Sequence, residues 1–552
     1  MPLQPYTGPF GRPELTHLLR RTLFGCSPAD LAHFNGMSLG QVVNELLTFT
    51  NNTTAPIKAY SILNGGQLDP NAIDPDVPFG STWTTVPIDY NMMPSPVPFR
   101  QGSLQAWWSG LLWHQERNLR EKMVLFWHTN LGTQLSGIQL PEPAYTHNQL
   151  LRDNCLGNFR SLMYDVSVDT GMLIYLNGYL NTAFAPDENY ARELMELFTL
   201  GETSGYTEQD VQAAAKVLTG WSVQLENMGQ PVIPNTVYYP ILHDITNKQF
   251  SAFFNNTVIT GQSGPNGGAN ELNALLDMIF LKDEVSEHIC RKLYRFFVHG
   301  DIDPAVESDV IQPLAQIFRD NLGAPDQMRI VVEALLTSDH FFSADVRACM
   351  VNSAVDFTIG TLRTLGMPAP DDTQFEAQYR VWRDVYNATG LIGQYVGEPP
   401  NVAGWPAYYQ FPQFDELWMD SATYANRKLI YEAVSYVGLS TPALMVQPQS
   451  QGLQFNISFV DLVAQFADPA DPNALIAEAV DLLFAVDVSQ GIKDQLKTNY
   501  LLFGQTSDYY WSDAYTTYVA DPNTTDPAAQ LVPTILLLLF LDMQGAAEHH
   551  LH

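Results

Sequence analysis

The chain has 552 residues, with 27 basic and 59 acidic side chains and a formal net charge of −32 at pH 7. Apolar residues make up 46% of it, enough to bury a large core, and the length suggests roughly two to four domains or lobes. The acidic excess argues against nucleic acid and anionic lipid as partners, because both are bound by clustered Lys and Arg.

Helical signals begin close to the start of the chain. A first helix is predicted over residues 13–24, ending at Gly25. Ser27, Pro28 and Asp30 then form a start signal for a short second helix. Further helices are predicted over residues 119–131, 149–166, 172–180, 187–200, 207–218, 270–280, 284–297, 305–321, 328–337, 351–365, 424–437, 459–466, 472–483 and 490–499. This pattern predicts an all-α, helix-dominated protein.

Long stretches rich in Pro, Asn and Gly separate these helices. They cover residues 51–100, 222–268, 366–412 and 503–530. Strand signals are confined to short pieces near residues 232–239 and 455–459. We therefore expect a multi-helix globule with long irregular insertions and at most a few short strands.

A soft boundary near residues 345–350 predicts two lobes. The N-terminal helical lobe, residues 1–348, carries the motifs described below. The C-terminal helical lobe, residues 349–552, is expected to pack against it.

The four cysteines are far apart in the sequence and form no CxxC pair, which excludes a zinc knuckle and favours free buried thiols. No signal peptide is visible at the N-terminus. The most apolar run, residues 535–541, is too short to span a bilayer. We expect a soluble protein without a transmembrane segment, and the compartment stays open.

The densest group of chemically capable side chains lies on the helix predicted over residues 187–200. Glu188, Arg192, Glu193 and Glu196 share one face of it. Glu193 and Glu196, three residues apart, are neighbours that can act in acid/base catalysis or bind a divalent metal ion. Arg192 can bind an anionic group of a substrate. The alternative is an amphipathic helix with a solvated face, in which Arg192 and Glu196 form an ordinary pair.

The next helix has a structural explanation. Thr207 and Asp210 resemble a capping box, and Gly220 follows the last apolar position. The two helices are predicted to form a helical hairpin over residues 187–220.

Histidines supply the second group of candidates. His128 lies on the apolar helix 119–131, where a neutral core histidine is the plainer interpretation and a haem ligand is a remote one. His243 leaves a Pro-rich loop, and the adjacent Asp244 can orient its ring. Together with Glu188 these two histidines form the candidate metal ligands, provided that separate helices bring them together.

Other signals are weaker. The sequence contains no GxSxG elbow and no Walker loop. The glycine-rich stretch over residues 261–270 is predicted to be a flexible loop rather than a phosphate cradle. The tail His549-His550-Leu551-His552 is an adventitious metal binder at most.

Several segments resemble, in matching order, the motifs of a bacterial family known as domain of unknown function 1800. They are HLLRRTLFG at residues 17–25, EKMVLFWHTN at 121–130, NQLLRDNCLGNFRSLM at 148–163, DENYARELMELFTLG at 187–201, YTEQDVQAAAKVLTGW at 206–221, HDITNK at 243–248 and PPNVAGWP at 399–406. The family's tryptophan-histidine motif commonly has a second histidine where this chain has Asn130. The resemblance implies no reaction. Many members look exported, which implies an envelope or extracellular role.

Two classes of function fit these observations. The first is an enzyme with its site at the hairpin of residues 187–220, using Glu193, Glu196 and Arg192, with or without a divalent metal ion. The second is a non-catalytic scaffold of the cell envelope or exterior, which binds protein partners or itself.

Overall fold

The computed structural model describes residues 3–50, 52–447 and 452–552. About half of the chain, 54%, is helical, and strands account for 7%. The prediction of an all-α, helix-dominated fold is confirmed.

The helices of the first half run from α1 to α13, and the fifth to ninth follow one another closely. Their bounds are α1 Arg12–Leu23, α2 Pro28–Phe34, α3 Leu39–Leu46, α4 Val97–Trp113, α5 Arg120–Asn130, α6 Leu135–Ile138, α7 Pro141–Asp153, α8 Phe159–Ser167, α9 Thr170–Tyr175, α10 Asn189–Glu193, α11 Glu208–Val217, α12 Gly267–Phe280 and α13 Asp283–Phe297.

The helices of the second half run from α14 to α25. Their bounds are α14 Pro304–Val306, α15 Gln312–Asp320, α16 Gln327–Leu336, α17 Ala354–Thr364, α18 Phe375–Leu391, α19 Ser421–Glu432, α20 Phe459–Val463, α21 Pro472–Leu483, α22 Gln490–Leu496, α23 Tyr509–Ala520, α24 Pro527–Gln530 and α25 Val532–Gln544. Four π-helical turns continue α10, α14, α19 and α22, at Leu194–Thr199, Glu307–Ile311, Ala433–Val437 and Lys497–Leu501.

The strands form four antiparallel pairs of two strands each in the described residues. They are β1 Ile62–Asn64 with β2 Gln67–Asp69, β3 Trp221–Asn227 with β4 Gln230–Tyr238, β5 Lys248–Gln249 with β6 Val258–Ile259, and β7 Leu439–Ser440 with β8 Gln454–Phe455. The longest pair starts with Trp221 opposite Tyr238 and directly follows α11. β4 confirms the strand predicted near residues 232–239, whereas β3 lies largely in a stretch that was predicted to be irregular.

Four helices of twelve or more residues were missing from the prediction, namely α4, α18, α23 and α25, and the first two pack against each other. α4 has buried side chains on every side, so its sequence shows no amphipathic stripe. α18 lies inside the stretch 366–412 that was predicted to be irregular, since prolines flank it on both sides. α4 and α18 are specified by packing, which neither an amphipathic pattern nor the flanking prolines reveal.

One predicted helix is two. The helix predicted over residues 149–166 is replaced by the end of α7 and by α8, and Asn158 begins α8 by accepting a hydrogen bond from the Ser161 N–H. The predicted capping boxes, in contrast, are confirmed. The Ser27 side chain caps the Asp30 N–H at the start of α2, and Thr207 does the same for Asp210 in α11.

A single large cluster of buried apolar side chains runs through both halves of the chain, from α1 to α25. The ammonium of Lys122 on α5 forms a buried ion pair with Asp356 on α17. Residues on both sides of residue 348 belong to this core. The division into two lobes at that residue stays a prediction.

The four cysteines are free, and Cys155 and Cys290 are buried as expected. Within the described ranges, no helix combines the length and the hydropathy needed to cross a membrane. The histidines of the C-terminal tail are buried rather than exposed to solvent. His550 is buried and stacks on the Phe357 ring at 5.1 Å, and burial lowers its pKa to about 3.

Candidate functional site

The predicted hairpin is present, but its first helix changes pitch in the middle. α10 ends at Glu193, and the chain continues as the π-helical turn Leu194–Thr199. Such turns occur frequently at functional sites, because they widen the helix and free backbone groups. Thr199, the last residue of this turn, is fully buried.

Glu193 and Glu196 lie on either side of this change in pitch. Both side chains are half-buried. The pKa of Glu193 is raised above its usual value, first by burial and then by the negative charge of Glu196, while Arg192 acts in the opposite direction. The charge of Glu196 thus acts on Glu193, as their spacing predicted.

The Arg192 guanidinium points along the hairpin rather than to Glu196. It donates two hydrogen bonds to the Glu208 carboxylate on α11, at 2.9 and 2.7 Å, and one to Glu188, at 3.2 Å. The ordinary pair considered for Arg192 with Glu196 is thus replaced by one across the hairpin. Arg192 ties the two helices together and leaves the carboxylate pair without a bound cation in the described residues.

The π-helical turn exposes a backbone acceptor to helix α13. The Leu197 carbonyl lies 2.9 Å from His288 Nε2 and accepts a hydrogen bond from Lys292 Nζ at 2.7 Å. Burial lowers the pKa of Lys292 to about 7 and that of His288 to about 3. Two donors from one helix thus fix the turn that carries Glu196.

Two tyrosines interact electrostatically with the carboxylate pair. The negative charge of Glu193 contributes to raising the pKa of Tyr175, after burial and the charge of Glu398. Burial and the charge of Glu196 raise the pKa of Tyr206 to about 12. Both phenols keep their protons at neutral pH and can donate hydrogen bonds near the carboxylates.

His128 lies in the core, in agreement with its interpretation as a neutral core histidine. Its ring contacts Trp108 edge-on at 4.9 Å, and it is 2% exposed. Burial and the nearby His147 lower its pKa to about 3, while a hydrogen bond with the Thr133 backbone acts in the opposite direction. The neutral ring leaves Nδ1 without a partner in the described part of the chain.

His243 is fixed by residues other than the adjacent Asp244. Its Nδ1 lies 2.9 Å from the Thr219 carbonyl, and its Nε2 lies 3.1 Å from a Glu271 carboxylate oxygen. Glu271 also pairs with Lys248 at 2.5 Å, and all three side chains are buried. The three side chains form a compact buried group, and the ring of Tyr238, at the end of β4, lies 5.6 Å from the His243 ring.

The three candidate metal ligands are held in separate places. Glu188 pairs with Arg192, His243 with Glu271, and His128 faces Trp108. Across the residues described, no group of three or more His, Cys, Asp or Glu side chains is placed to hold a metal ion. Metal binding by Glu188, His128 and His243 stays a prediction.

A histidine–aspartate pair was not singled out from the sequence. His147 on α7 places Nδ1 2.9 Å from the Asp169 carboxylate, and both side chains are buried. Because a carboxylate only accepts, Nδ1 carries a hydrogen, and Nε2 has no partner in the described residues. The cap signal at Asp169 was visible in the sequence. Its pairing with His147, 22 residues away, was not.

The chain was compared with protein families, curated proteins and solved structures. A model of a family described as "Protein of unknown function (DUF1800)" matches residues 17–525. No curated protein and no solved structure matches the chain.

Proposed function

We propose that this chain, which belongs to the DUF1800 family of unknown function, is a hydrolytic enzyme. Its acid/base pair would be Glu193 and Glu196. The observation that carries the proposal is the raised pKa of Glu193 beside a second carboxylate, at a half-exposed position. Pairs of carboxyl groups with separated proton affinities are typical of acid/base sites.

Each carboxyl group has a separate role. Glu193, whose raised pKa favours the protonated form more than in an ordinary glutamate, acts in that form and donates its proton to the leaving group. Glu196, as a carboxylate, accepts a proton from a water molecule that attacks the substrate. The proton lost by water thus goes to Glu196, and the proton gained by the leaving group comes from Glu193.

The surroundings support this assignment. Arg192 makes its hydrogen bonds with Glu208 and Glu188, and its charge only partly offsets the raised pKa of Glu193. The bonds from His288 and Lys292 to Leu197 hold the turn in place, which favours preorganised catalytic groups. Contact of Arg192 with an anionic substrate group stays a prediction, and it would require Glu208 to be displaced.

The test is turnover of chromogenic p-nitrophenyl esters and glycosides by the purified protein. Glu193→Gln and Glu196→Gln should each lower kcat by about 10²- to 10⁴-fold, the range for losing a general acid or base. Glu202→Gln makes the same change of charge at an exposed position of the same hairpin and should leave kcat unchanged. Equal turnover by all three variants, or none by the wild type, would count against hydrolysis here.

A scaffold or interaction protein is the second candidate, and exposed apolar side chains favour it. Phe184, Met228 and Ile241 are 83%, 99% and 81% exposed. The segments of Phe184 and Ile241 are neighbours, since the Ala183 N–H donates to the Leu242 carbonyl at 2.7 Å. Such side chains can bind protein partners or a second copy of the chain. Light scattering that shows self-association of the wild type, lost in Phe184→Ser/Ile241→Ser, would favour this alternative.

A further inference from the structure

A cleft of about 460 Å³ lies between α4 and α18, on elements other than the hairpin. The loop around Tyr60 and the segment of Ser440 and Pro442 complete its walls. Its size is in the range of small-molecule sites, about 300–1,000 Å³.

The walls present aromatic rings whose polar atoms are engaged elsewhere. The Tyr60 hydroxyl donates to the Asp74 carboxylate at 2.7 Å, and the Tyr379 hydroxyl accepts from the Ile57 N–H at 3.0 Å. The Tyr60 ring also contacts Phe99 at 5.6 Å. The cleft therefore offers flat apolar surface, which suits a planar apolar body.

One cation in the wall lacks a counter-charge. The Arg383 guanidinium donates to the Gln105 side-chain oxygen and lies 4.7 Å from the centre of the Tyr386 ring. In the described part of the chain, no carboxylate pairs with it. An uncompensated guanidinium is unexpected in a protein with 59 acidic and 27 basic residues.

The second arginine of the cleft is already compensated. Arg380 donates to Glu376 at 3.1 Å, and the Asp384 carboxylate interacts with it electrostatically. Among the described residues that line the cleft, Arg383 is therefore the arginine left to bind an anionic ligand.

We propose that this cleft binds a small carboxylate with a flat apolar body. The ring faces of Tyr60, Phe99 and Tyr379 would cover the apolar body, and Arg383 would donate hydrogen bonds to the carboxylate. Gln105 holds the guanidinium in position and also donates to Glu398, which fixes the amide. A guanidinium binds carboxylates well because its planar donors match their geometry.

The probe is 2-naphthoate, titrated into the full chain by calorimetry. We expect saturable binding at one site. Arg383→Gln should weaken it at least about ten-fold, through loss of a charged hydrogen bond. Arg160→Gln, at an arginine that pairs with Asp277 outside the cleft, is the matched control and should not change the affinity.

Two further measurements distinguish the contribution of the ligand's charge from that of the shape of the cleft. The neutral analogue 2-naphthylmethanol should bind more weakly than 2-naphthoate and should not distinguish wild type from Arg383→Gln. Gly102→Leu adds a side chain in the cleft, where a Cβ meets Arg383 Nη1 only at 3.5 Å, and should abolish binding while the helix folds.

The proposal fails if 2-naphthoate does not bind at millimolar concentration. It fails equally if Arg383→Gln binds as tightly as the wild type, or if the neutral analogue matches the anion. Circular dichroism of each variant confirms that a loss of binding is not a loss of fold. None of these outcomes depends on turnover at Glu193 and Glu196.

Discussion

Glu193 binds its proton more tightly than an ordinary glutamate, because burial and the charge of Glu196 both disfavour its carboxylate. A carboxyl group with a raised folded-state pKa stabilises the fold below its unfolded pKa, and this contribution is lost as pH rises through the folded value. The ionised pair is thus unfavourable for stability at neutral pH, as is common at functional sites.

Glu193→Gln should therefore be more stable than the wild type at pH 7 and equally stable at pH 4. The gain should stay below about 1 kcal/mol, since solvent screens a half-exposed group. Thermal unfolding at both pH values checks this. Destabilisation at pH 7 would mean that the Glu193 carboxylate has a structural partner.

The buried His147–Asp169 pair gives a second prediction at this scale. Asp169→Ala removes the cap of α9 and leaves His147 Nδ1 unsatisfied. Together these losses should cost about 2–4 kcal/mol. Asp169→Asn keeps a capping oxygen and should cost clearly less. Urea unfolding of both variants measures the difference, and equal losses would contradict the assigned contacts.

Much at the residue scale follows from local spacing. The adjacency of Glu193 and Glu196 and both capping boxes are three-residue relations, which a helix fixes in advance. The pair of Arg192 with Glu208 joins two helices and depends on how the hairpin closes. Spacing along the sequence therefore did not predict it.

At the scale of elements, Gly220 lets α11 turn into β3. Its φ is +93°, and an added Cβ would lie 3.0 Å from the Tyr238 ring and 3.1 Å from His243 Cβ. Gly220→Ala should cost more than the about 1–2 kcal/mol expected for backbone strain alone.

Gly229→Ala is the matched control for this substitution. Gly229 also has a positive φ, +76°, but a Cβ there meets nothing within 4 Å. Denaturant unfolding should show the larger loss at Gly220. Equal losses would show that packing against Tyr238 and His243 adds nothing to the strain.

Helix α13 fixes the π-helical turn through Lys292, whose lowered pKa gives a test. The folded state disfavours the ammonium form of Lys292. The stability that the neutral form contributes is therefore fully present above the unfolded pKa and is lost as pH falls towards about 7. The stability of Lys292→Met relative to the wild type should thus fall as pH rises from 7 to 10. The slope should be well below about 1.4 kcal/mol per pH unit, because the side chain is only partly buried. Denaturation at several pH values measures it, and a flat difference would contradict the lowered pKa.

The errors at this scale have a physical cause. α4 and α18 are specified by their mutual packing, and the π-helical turn by donors from α13. Periodicity along one segment contains none of this information, so the sequence placed the hairpin correctly and missed the change of pitch within it.

At the scale of the whole molecule, the net charge of −32 works against compaction. Raising the ionic strength from low to physiological values should increase the thermal midpoint, since salt screens repulsion between carboxylates at the surface. A midpoint that falls with salt would show that attractive ion pairs dominate. Composition and periodicity were sufficient for the helical class at this scale, because both are averages over many residues.

The acid/base proposal is tested most directly by the protonation of Glu193 itself. Carbodiimide coupling of an amine labels protonated carboxyl groups, and peptide mass spectrometry reports each position across a pH series. Glu193 should stay reactive at higher pH than the exposed Glu202, and Glu196→Gln should shift Glu193 towards ordinary behaviour. Labelling of Glu193 that matches Glu202, unchanged by Glu196→Gln, would contradict the carboxylate pair on which the proposed function depends.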